Sequence, residues 1–264
     1  MKIGFIGCGN MATAILKGIL KSGEVAAPDI IASAKSDKTR EKIEKELGIK
    51  KADTNARVVE FADVVFLAVK PQFLEGVLDE IKASVKENQI FISIAPGKTL
   101  QWFAEKLGEK TKVIRTMPNT PAMVGEGMTA LCVNDLVTEE ETALAVKLCN
   151  TFGKTEVIPE RLMDVVVGVS GSSPAYVFMF LEAMADAAVA DGMPRAQAYK
   201  FAAQAVLGSA KLMLETGKHP GELKDMVCSP AGTTIQAVRV LEEKGLRSAV
   251  FEAQTTCVNK AKGM

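Results

Sequence analysis

The 264-residue sequence contains a single histidine, His219, and none of its cysteines has the spacing of a metal or redox motif. His219 directly precedes a proline in a predicted turn between helices, so we expect it to be structural rather than a general base. The five cysteines show neither CxxC nor CxH spacing and are predicted to be free thiols of a reducing compartment. The sequence therefore predicts no disulfide, no metal site and no histidine-based catalysis.

The sequence also has no excess of positive or negative charge and no long apolar run. Lysine plus arginine and aspartate plus glutamate both total 32, and no basic patch stands out, which argues against nucleic acid as a partner. No apolar run approaches the length of a membrane span, and the first predicted strand leaves no room for a signal peptide. We therefore expect a soluble, cytoplasmic protein without a membrane partner.

A glycine-rich turn lies between a predicted strand and a predicted helix at the start of the chain. Residues 3–6 are an apolar run, and helical spacing of apolar residues begins at residue 11. Between them stands Gly7-x-Gly9-x-x-Ala12, in which Gly7 allows the tight turn and Gly9 lets a pyrophosphate approach the backbone. The alternative is a turn without a ligand, but this context favours dinucleotide binding. The predicted contacts are Ile6, Gly7, Gly9, Asn10 and Met11.

The end of the second predicted strand, residues 29–33, indicates which dinucleotide is bound. NAD-selective sites have a carboxylate there for the ribose 2′-hydroxyl, whereas this chain has Ser33, Ala34, Lys35 and Ser36. Two hydroxyls and an ammonium suit a 2′-phosphate, so we predict NADP(H) as the preferred cofactor. NAD(H) stays possible because Asp37 lies nearby. The alternative interpretation is that Ser33, Lys35 and Ser36 are ordinary polar loop residues without a ligand.

Further cofactor contacts are expected where other strands end, because open parallel sheets bind ligands beyond the carboxyl ends of their strands. A buried strand over residues 62–69 leads into a Lys-Pro pair, and a polar turn precedes a short helix near residue 55. Lys70 alone is equally well explained as a solvated charge. The predicted contacts are Asn55, Ala68, Val69, Lys70 and Pro71.

Strands alternate with helices to about residue 158, which predicts an α/β fold with an N-terminal Rossmann-type, doubly wound sheet. After Pro159 only helices are expected, so we predict a dinucleotide-binding domain over 1–159 and an all-helical substrate-binding and dimerisation domain over 160–264. A Ser-Gly-Ser-Ser-Pro stretch, 170–174, is predicted to interrupt the first of these helices. Residues 175–190 and 201–214 are apolar on nearly every face, which favours a homodimer with interleaved helices.

Two features of the second domain carry alternative interpretations. Glu182 and Asp186 lie four residues apart on one helical face and are either an acid–base pair or, as we favour, a structural pair. The loop of residues 229–234 opens a helix, where hydroxyls and backbone N–H groups form an anion site suited to a substrate carboxylate. Its alternative is a helix capped by Thr233 or Thr234.

Taken together, the motifs resemble those of the pyrroline-5-carboxylate reductase family over the full length of the chain. The resemblance rests on residues 5–12, 68–71, 115–121, 168–176 and 228–234, and the last two stretches are specific to the family. Ser173 and Ala231 stand where the family usually has glycine. The resemblance implies NADP- or NAD-dependent reduction of a cyclic imine to L-proline, by a domain-swapped dimer that often assembles into decamers.

The resemblance also implies roles for individual residues. The loop around Asn119 and Pro121 is expected to lie beside the nicotinamide, and Thr234 is expected to present a catalytic hydroxyl near the imine nitrogen. The substrate carboxylate is expected to be held by a loop completed across the dimer, namely Ser229, Pro230, Ala231, Gly232, Thr233 and Thr234.

The chemistry of an imine agrees with the missing histidine. An imine can arrive protonated, so the protein has only to hold it against the nicotinamide and fix its carboxylate. The β-hydroxyacid dehydrogenases, a rival class of similar architecture, place a catalytic lysine on the long helix, but residues 175–190 contain none. A dinucleotide sensor without catalysis is a second rival, disfavoured because it has no need of a carboxylate site.

Overall fold

A single eight-stranded sheet forms the N-terminal part of the chain in a computed structural model that describes residues 1–263, apart from the side chains of Asp37 and Lys42. Its strands run in the order β3-β2-β1-β4-β5-β6-β7-β8. All neighbours are parallel except β6 and β7, which are antiparallel. The strands are β1 (Ile3–Ile6), β2 (Ile30–Ser33), β3 (Lys50–Ala52), β4 (Val64–Leu67), β5 (Ile90–Ser93), β6 (Lys112–Met117), β7 (Gly127–Val133) and β8 (Gly153–Val157).

The central strands are apolar throughout because helices cover both faces of the sheet. Every residue of β1 and β4 is buried, and the rings of Phe5 and Phe66 stack with centroids 4.6 Å apart. Ile6 pairs in register with Ser33 on one side and with Leu67 on the other. This register brings the carboxyl ends of β2, β1 and β4 to one edge of the sheet.

Helices alternate with these strands, which confirms the predicted Rossmann-type class. Six of them belong to the sheet region: α1 (Asn10–Ser22), α2 (Asp37–Leu47), α3 (Asn55–Phe61), α4 (Pro71–Ile81), α5 (Leu100–Leu107) and α6 (Glu139–Cys149). The sequence did not predict β3, a three-residue edge strand whose two lysines are exposed. Its apolar signal is too short to be distinguished from a loop.

The chain divides into two compact units. One is Met1–Ser172 together with the residues from Cys257 onward, and the other is Ser173–Thr256. The predicted boundary after residue 159 lies earlier, directly after β8. The remaining helices are α7 (Met163–Val166), α8 (Ser173–Ala190), α9 (Arg195–Thr216), α10 (Pro220–Val227), α11 (Thr233–Glu243) and α12 (Leu246–Lys262).

The predicted interruption at residues 170–174 is confined to one residue. α7 continues into a π-helical turn, Val167–Gly171, and Ser172 forms a bend before α8 starts at Ser173. Pro174 occupies the first turn of α8, as the sequence predicts, where its missing N–H is not needed. The pattern predicts a longer break because glycine, serine and proline usually punctuate helices.

This continuity also corrects the expectation that no apolar run is long enough for a membrane span. The helical segment Glu160–Ala190 passes that test by length and composition alone, with a mean hydropathy of 1.4 over its most apolar window. Only 6% of the window is buried within the single chain. Helices that are covered by a second subunit have the same composition, so the segment needs a partner surface of some kind.

Candidate active site

The glycine-rich turn closes tightly against the neighbouring strands. Gly7 has φ +94°, and its N–H donates to the carbonyl of Ser33 at 3.0 Å. A Cβ at this position would lie 2.7 Å from the carbonyl oxygen of Ala68. Only glycine satisfies both conditions, so the turn is fixed by backbone geometry before any ligand binds.

Gly9 leaves open the space into which a pyrophosphate fits. A Cβ built on Gly9 would meet no atom within 4 Å, although Gly9 is the N-cap of α1. No side chain caps this helix, and its first turn carries no acidic residue. The N–H groups of the first turn, including those of Asn10 and Met11, therefore face an open cradle with a positive helix dipole behind it.

The thiol between the two glycines does not disturb this cradle. Cys8 is buried, and desolvation raises the pKa of its thiol to about 12. The side chain is therefore neutral at physiological pH and adds no negative charge beside a phosphate.

A cavity of about 480 Å³ lies at the carboxyl end of β2. Five predicted cofactor residues line it together: Gly7, Ser33, Lys35, Asn55 and Val69. The cavity also has a lining residue that the sequence did not indicate, Arg40. Arg40 lies among many charges on α2, so composition did not distinguish it. Its position in the first turn of the helix after β2 is the signal that points to it.

A chain of hydrogen bonds connects three side chains of this cavity. The Ser33 hydroxyl donates to Oδ1 of Asn55 at 2.6 Å, and Nδ2 of Asn55 donates to Oε2 of Glu80 at 2.7 Å. The Glu80 carboxylate only accepts hydrogen bonds, so it fixes the orientation of the Asn55 amide. The sequence identified Ser33 and Asn55 but not Glu80, which joins them only through the fold.

The two other polar residues predicted after β2 make local interactions. The hydroxyl of Ser36 caps α2 by accepting from the N–H of Thr39 at 3.3 Å. The ammonium of Lys35 lies 5.4 Å from the centre of the Phe73 ring. The side chain of Asp37, which left NAD(H) possible, lies outside the described residues.

The segment after β4 is short and continues at once into a helix. Pro71 is the first residue of α4, and Lys70 is its exposed N-cap. The N–H of Ala68 donates to the carbonyl of Ile6 at 2.8 Å, which ties this segment to the glycine-rich turn. Ile6 ends β1, and the other predicted contacts follow the adjacent strand β4, so all of them lie at the same sheet edge: Ala68, Val69, Lys70 and Pro71.

Two motifs that lie far apart in sequence meet at this edge. Asn119 is buried, and its Nδ2 donates to the carbonyl of Ser170 in the π-helical turn at 3.0 Å. Its Oδ1 accepts from the N–H of Met128 at 2.8 Å. Pro121 follows in a 3-10 turn, Thr120–Val124. The Asn119 side chain thus joins the π-helical turn to the start of β7.

The second unit contains the predicted substrate loop. α11 starts at Thr233 with Gly232 as N-cap, and no side chain caps it. The alternative in which Thr233 or Thr234 caps the helix is therefore wrong, because both residues lie inside its first turn. That first turn carries no acidic residue. The N–H groups at this N-terminus and the half-buried Thr234 form an arrangement suited to a carboxylate.

The loop before α11 is sharply bent. Ala231 has φ +59°, a left-handed conformation that residues other than glycine seldom adopt. The N–H of Gly232 donates to the carbonyl of Ser229 at 3.0 Å, which closes the turn around Pro230. A Cβ on Gly232 would lie 2.3 Å from Oγ of Ser229, so a larger residue here would displace the Ser229 side chain.

Two further groups that the sequence analysis considered, His219 and Asp186, have structural partners. His219 is the N-cap of α10, where its Nδ1 accepts from the N–H of Gly221 at 3.1 Å, which confirms its structural role. Asp186 forms an ion pair with Arg195. Within residues 1–263 no group of three or more metal-ligating side chains comes together.

Two family models match separate parts of the chain. A model described as pyrroline-5-carboxylate reductase dimerisation matches residues 160–264. A model described as NADP oxidoreductase, coenzyme F420-dependent, matches residues 2–97. The first match begins directly after the predicted domain boundary.

Curated relatives align with nearly the whole chain. A pyrroline-5-carboxylate reductase of Escherichia coli is 57% identical over 98% of this chain and 97% of its own length. One from Methanosarcina acetivorans is 44% identical over 99% of this chain and 97% of its own length.

Solved structures agree with these relatives. A pyrroline-5-carboxylate reductase from Coxiella burnetii superposes with a TM-score of 0.93 at 35% identity, covering 99% of this chain and 97% of its own. The Plasmodium falciparum pyrroline carboxylate reductase with NADP bound gives a TM-score of 0.91 at 28% identity, covering 100% and 97%. On the sequence motifs, the site geometry and these matches, the chain belongs to the pyrroline-5-carboxylate reductase family.

Proposed function

We infer that this chain reduces the C=N bond of 1-pyrroline-5-carboxylate to give L-proline, the last step of proline biosynthesis, with NADPH as the preferred reductant and NADH as a possible one. The observation that carries this conclusion is the 57% identity to the Escherichia coli reductase across nearly the whole of both chains. Identity of that extent covers the dinucleotide turn and the helical domain together.

The residues of the first unit fit a nicotinamide dinucleotide. When bound, NADPH supplies a hydride to the imine carbon. Gly7 and Gly9 admit the pyrophosphate, and the first-turn N–H groups of α1 bind it. Ser33, Lys35, Ser36 and Asn55 surround the end of β2, where the adenosine ribose of a Rossmann-bound dinucleotide lies.

The residues of the second unit suit the imino-acid substrate. The carboxylate of pyrroline-5-carboxylate binds the N–H groups at the start of α11, with Ser229, Pro230, Ala231, Gly232 and Thr233 shaping the loop. Thr234 is the second residue of α11, and its hydroxyl holds a proton at the imine nitrogen. The atoms balance, since carbon receives a hydride and nitrogen carries one proton.

An NADPH oxidation assay with pyrroline-5-carboxylate, with proline measured as the product, tests both proposals. We expect the wild type to turn over and Thr234→Ala to lower kcat about hundredfold, the lower end of the range of about 10²–10⁴ that a positioned proton donor contributes. Thr234→Ser keeps the hydroxyl and should retain most of the rate.

Two results would contradict these assignments. An unchanged kcat in Thr234→Ala removes the catalytic role of its hydroxyl. A wild type that binds NADPH but forms no proline overturns the proposed reaction and favours another imine or a dinucleotide sensor.

The protein is a homo-oligomer, and we assign residues 160–264 to its dimerisation domain. The exposed apolar side chains of this region support an interleaved dimer, since Phe178 is 65% exposed, Leu214 84% and Phe251 73% in the single chain. We also propose that such dimers assemble into a decamer and that the protein is cytoplasmic.

A further inference from the structure

The two edge strands of the sheet differ in charge. The sheet ends in β3 on one side and in β8 on the other. An edge strand offers backbone N–H and C=O groups to any other strand, and proteins often block such pairing with lysines. β3 has two exposed lysines in succession, Lys50 and Lys51. In β8, Lys154 and Glu156 are exposed and lie two residues apart, so the strand presents one charge of each sign on the same face.

The free side of β8 follows from its hydrogen bonds to β7. The N–H of Ile158 donates to the carbonyl of Leu131 at 2.8 Å, and Leu131 is in register with Val157. Backbone groups of alternate residues bond the neighbouring strand, so those of Glu156 and Ile158 face β7. The backbone groups of Thr155 and Val157 therefore point away from β7. Among the residues that the structure describes, no strand pairs with that side.

A second copy of β8 fits this side when the two strands run antiparallel about a two-fold axis at Thr155. Lys154 then lies opposite the partner's Glu156, and Glu156 lies opposite the partner's Lys154. These are non-hydrogen-bonded pairs, in which side chains approach most closely, and opposite charges stabilise such pairs. The same operation on β3 would place Lys51 opposite the partner's Lys51, and like charges repel.

The apolar side of β8 also suits a second strand. Val157 is 52% exposed and lines a groove of about 610 Å³ together with Val133, Val137 and Val146. In the two-fold arrangement the partner's Gly153 lies opposite Val157. Because glycine has no side chain, Val157 can extend over the partner strand without a clash.

We propose that β8 pairs antiparallel with β8 of a second copy of this chain, centred on Thr155, so that the sheets of two subunits become continuous. β8 ends shortly before residues 160–264, which we assign to dimerisation, so this contact can share the two-fold axis of that interface. A strand of five residues buries far less than the roughly 1,200 Å² that a stable interface needs. The pairing therefore adds to association through residues 160–264. It rests on the homo-oligomer and not on the proposed reaction.

Disulfide cross-linking of the full chain tests this register. Non-hydrogen-bonded antiparallel pairs have Cα atoms about 4.5 Å apart, which a disulfide can span. The double variant Lys154→Cys/Glu156→Cys should therefore form a covalent dimer when oxidised, as seen by non-reducing electrophoresis.

Each single variant is a matched control. In Lys154→Cys or Glu156→Cys alone, the two new thiols of a dimer are diagonal neighbours about 7–8 Å apart, beyond the usual reach of a disulfide. We expect about tenfold less cross-linking in each single variant than in the double variant, because only the double variant places thiols directly opposite each other. The wild type, whose cysteines are all free, reports the background.

Amide hydrogen exchange of the wild type is a second measurement that needs no substitution. The N–H groups of Thr155 and Val157 should exchange as slowly as that of Ile158, which is bonded to β7. Free exchange at Thr155 and Val157 would overturn the proposal.

The cross-linking result would also overturn the proposal if the double variant kept the wild-type mass in light scattering but cross-linked no more than the single variants. If the double variant loses that mass, the exchange of the wild type decides. A protein that cross-links as expected but does not reduce pyrroline-5-carboxylate would contradict the proposed reaction alone.

Discussion

Ala231 is the residue at which this chain departs most visibly from unstrained geometry. It holds φ +59° in the loop before α11, where the left-handed region costs a side chain with a Cβ about 1–2 kcal/mol. Ala231→Gly should relieve that strain. Glycine also increases the conformational entropy of the unfolded chain, which lowers the free energy of unfolding by about 0.5–1 kcal/mol. We therefore expect a small rise in melting temperature at fixed protein concentration.

Two substitutions by larger residues distinguish the effect of backbone strain from the effect of side-chain size at position 231. Asparagine tolerates the left-handed region and valine does not, while their volumes are similar. Ala231→Asn should melt close to the wild type, and Ala231→Val should melt several degrees lower and raise the KM for the imine. If both variants behave alike, the loop does not hold residue 231 at a positive φ.

The site could be predicted from sequence wherever a residue acts through its place along the chain. Gly7, Gly9 and Ser33 follow strands that the apolar pattern reveals, so their location at the sheet edge was predictable. Glu80 and Arg40 reach the same cavity from helices, by contacts that no local pattern encodes. The hydrogen-bonded chain that uses up the Ser33 donor could therefore be found only in the folded structure.

Among the elements, the π-helical turn is joined to the sheet by the side chain of Asn119. Asn119 bonds both the Ser170 carbonyl of this turn and the N–H of Met128 at the start of β7. Asn119→Ala leaves both groups without their partner and should lower the free energy of unfolding by about 2 kcal/mol. Because these two hydrogen bonds lie at the carboxyl edge of the sheet, we also expect a higher KM for NADPH.

Asn134 provides the control within the same sheet. Its Oδ1 accepts from the N–H of Val113 at 3.2 Å, and its Nδ2 donates to the carbonyl of Thr111 at 2.9 Å. These bonds match those of Asn119 in number and type but lie at the amino end of β6. Asn134→Ala should therefore destabilise the protein without changing the KM for NADPH. A KM that rises equally in both variants would assign Asn119 to stability alone.

Element boundaries illustrate what local sequence does not decide. The pattern of residues 170–174 predicts a break, yet only Ser172 leaves the helix, because the turn before it widens to a π-helix and Pro174 falls where no N–H is required. Strand β3 forms because β2 offers it a parallel edge, not because its own residues are apolar. In both cases tertiary contacts overrule the local signal.

At the scale of the whole molecule, the apolar pattern predicts more than one chain can bury. The alternation of strands and helices predicts the Rossmann-type unit correctly because each buried strand there is covered within the chain. In α8, by contrast, Ala185 is the one residue buried among those that the structure describes. The sequence thus indicates association, although it does not specify the geometry of the assembly.

Association through α8 predicts a molar mass of at least twice the 28.2 kDa of one chain in light scattering. Phe178→Glu places a charge on a surface that subunit contact would desolvate, so it should shift the protein to lower mass and lower its melting temperature. Leu136→Glu makes the same change at another exposed apolar residue, outside 160–264, and should keep the wild-type mass. A wild type with the mass of one chain would contradict the homo-oligomer, and an unchanged mass in Phe178→Glu would exclude this face of α8 from the interface.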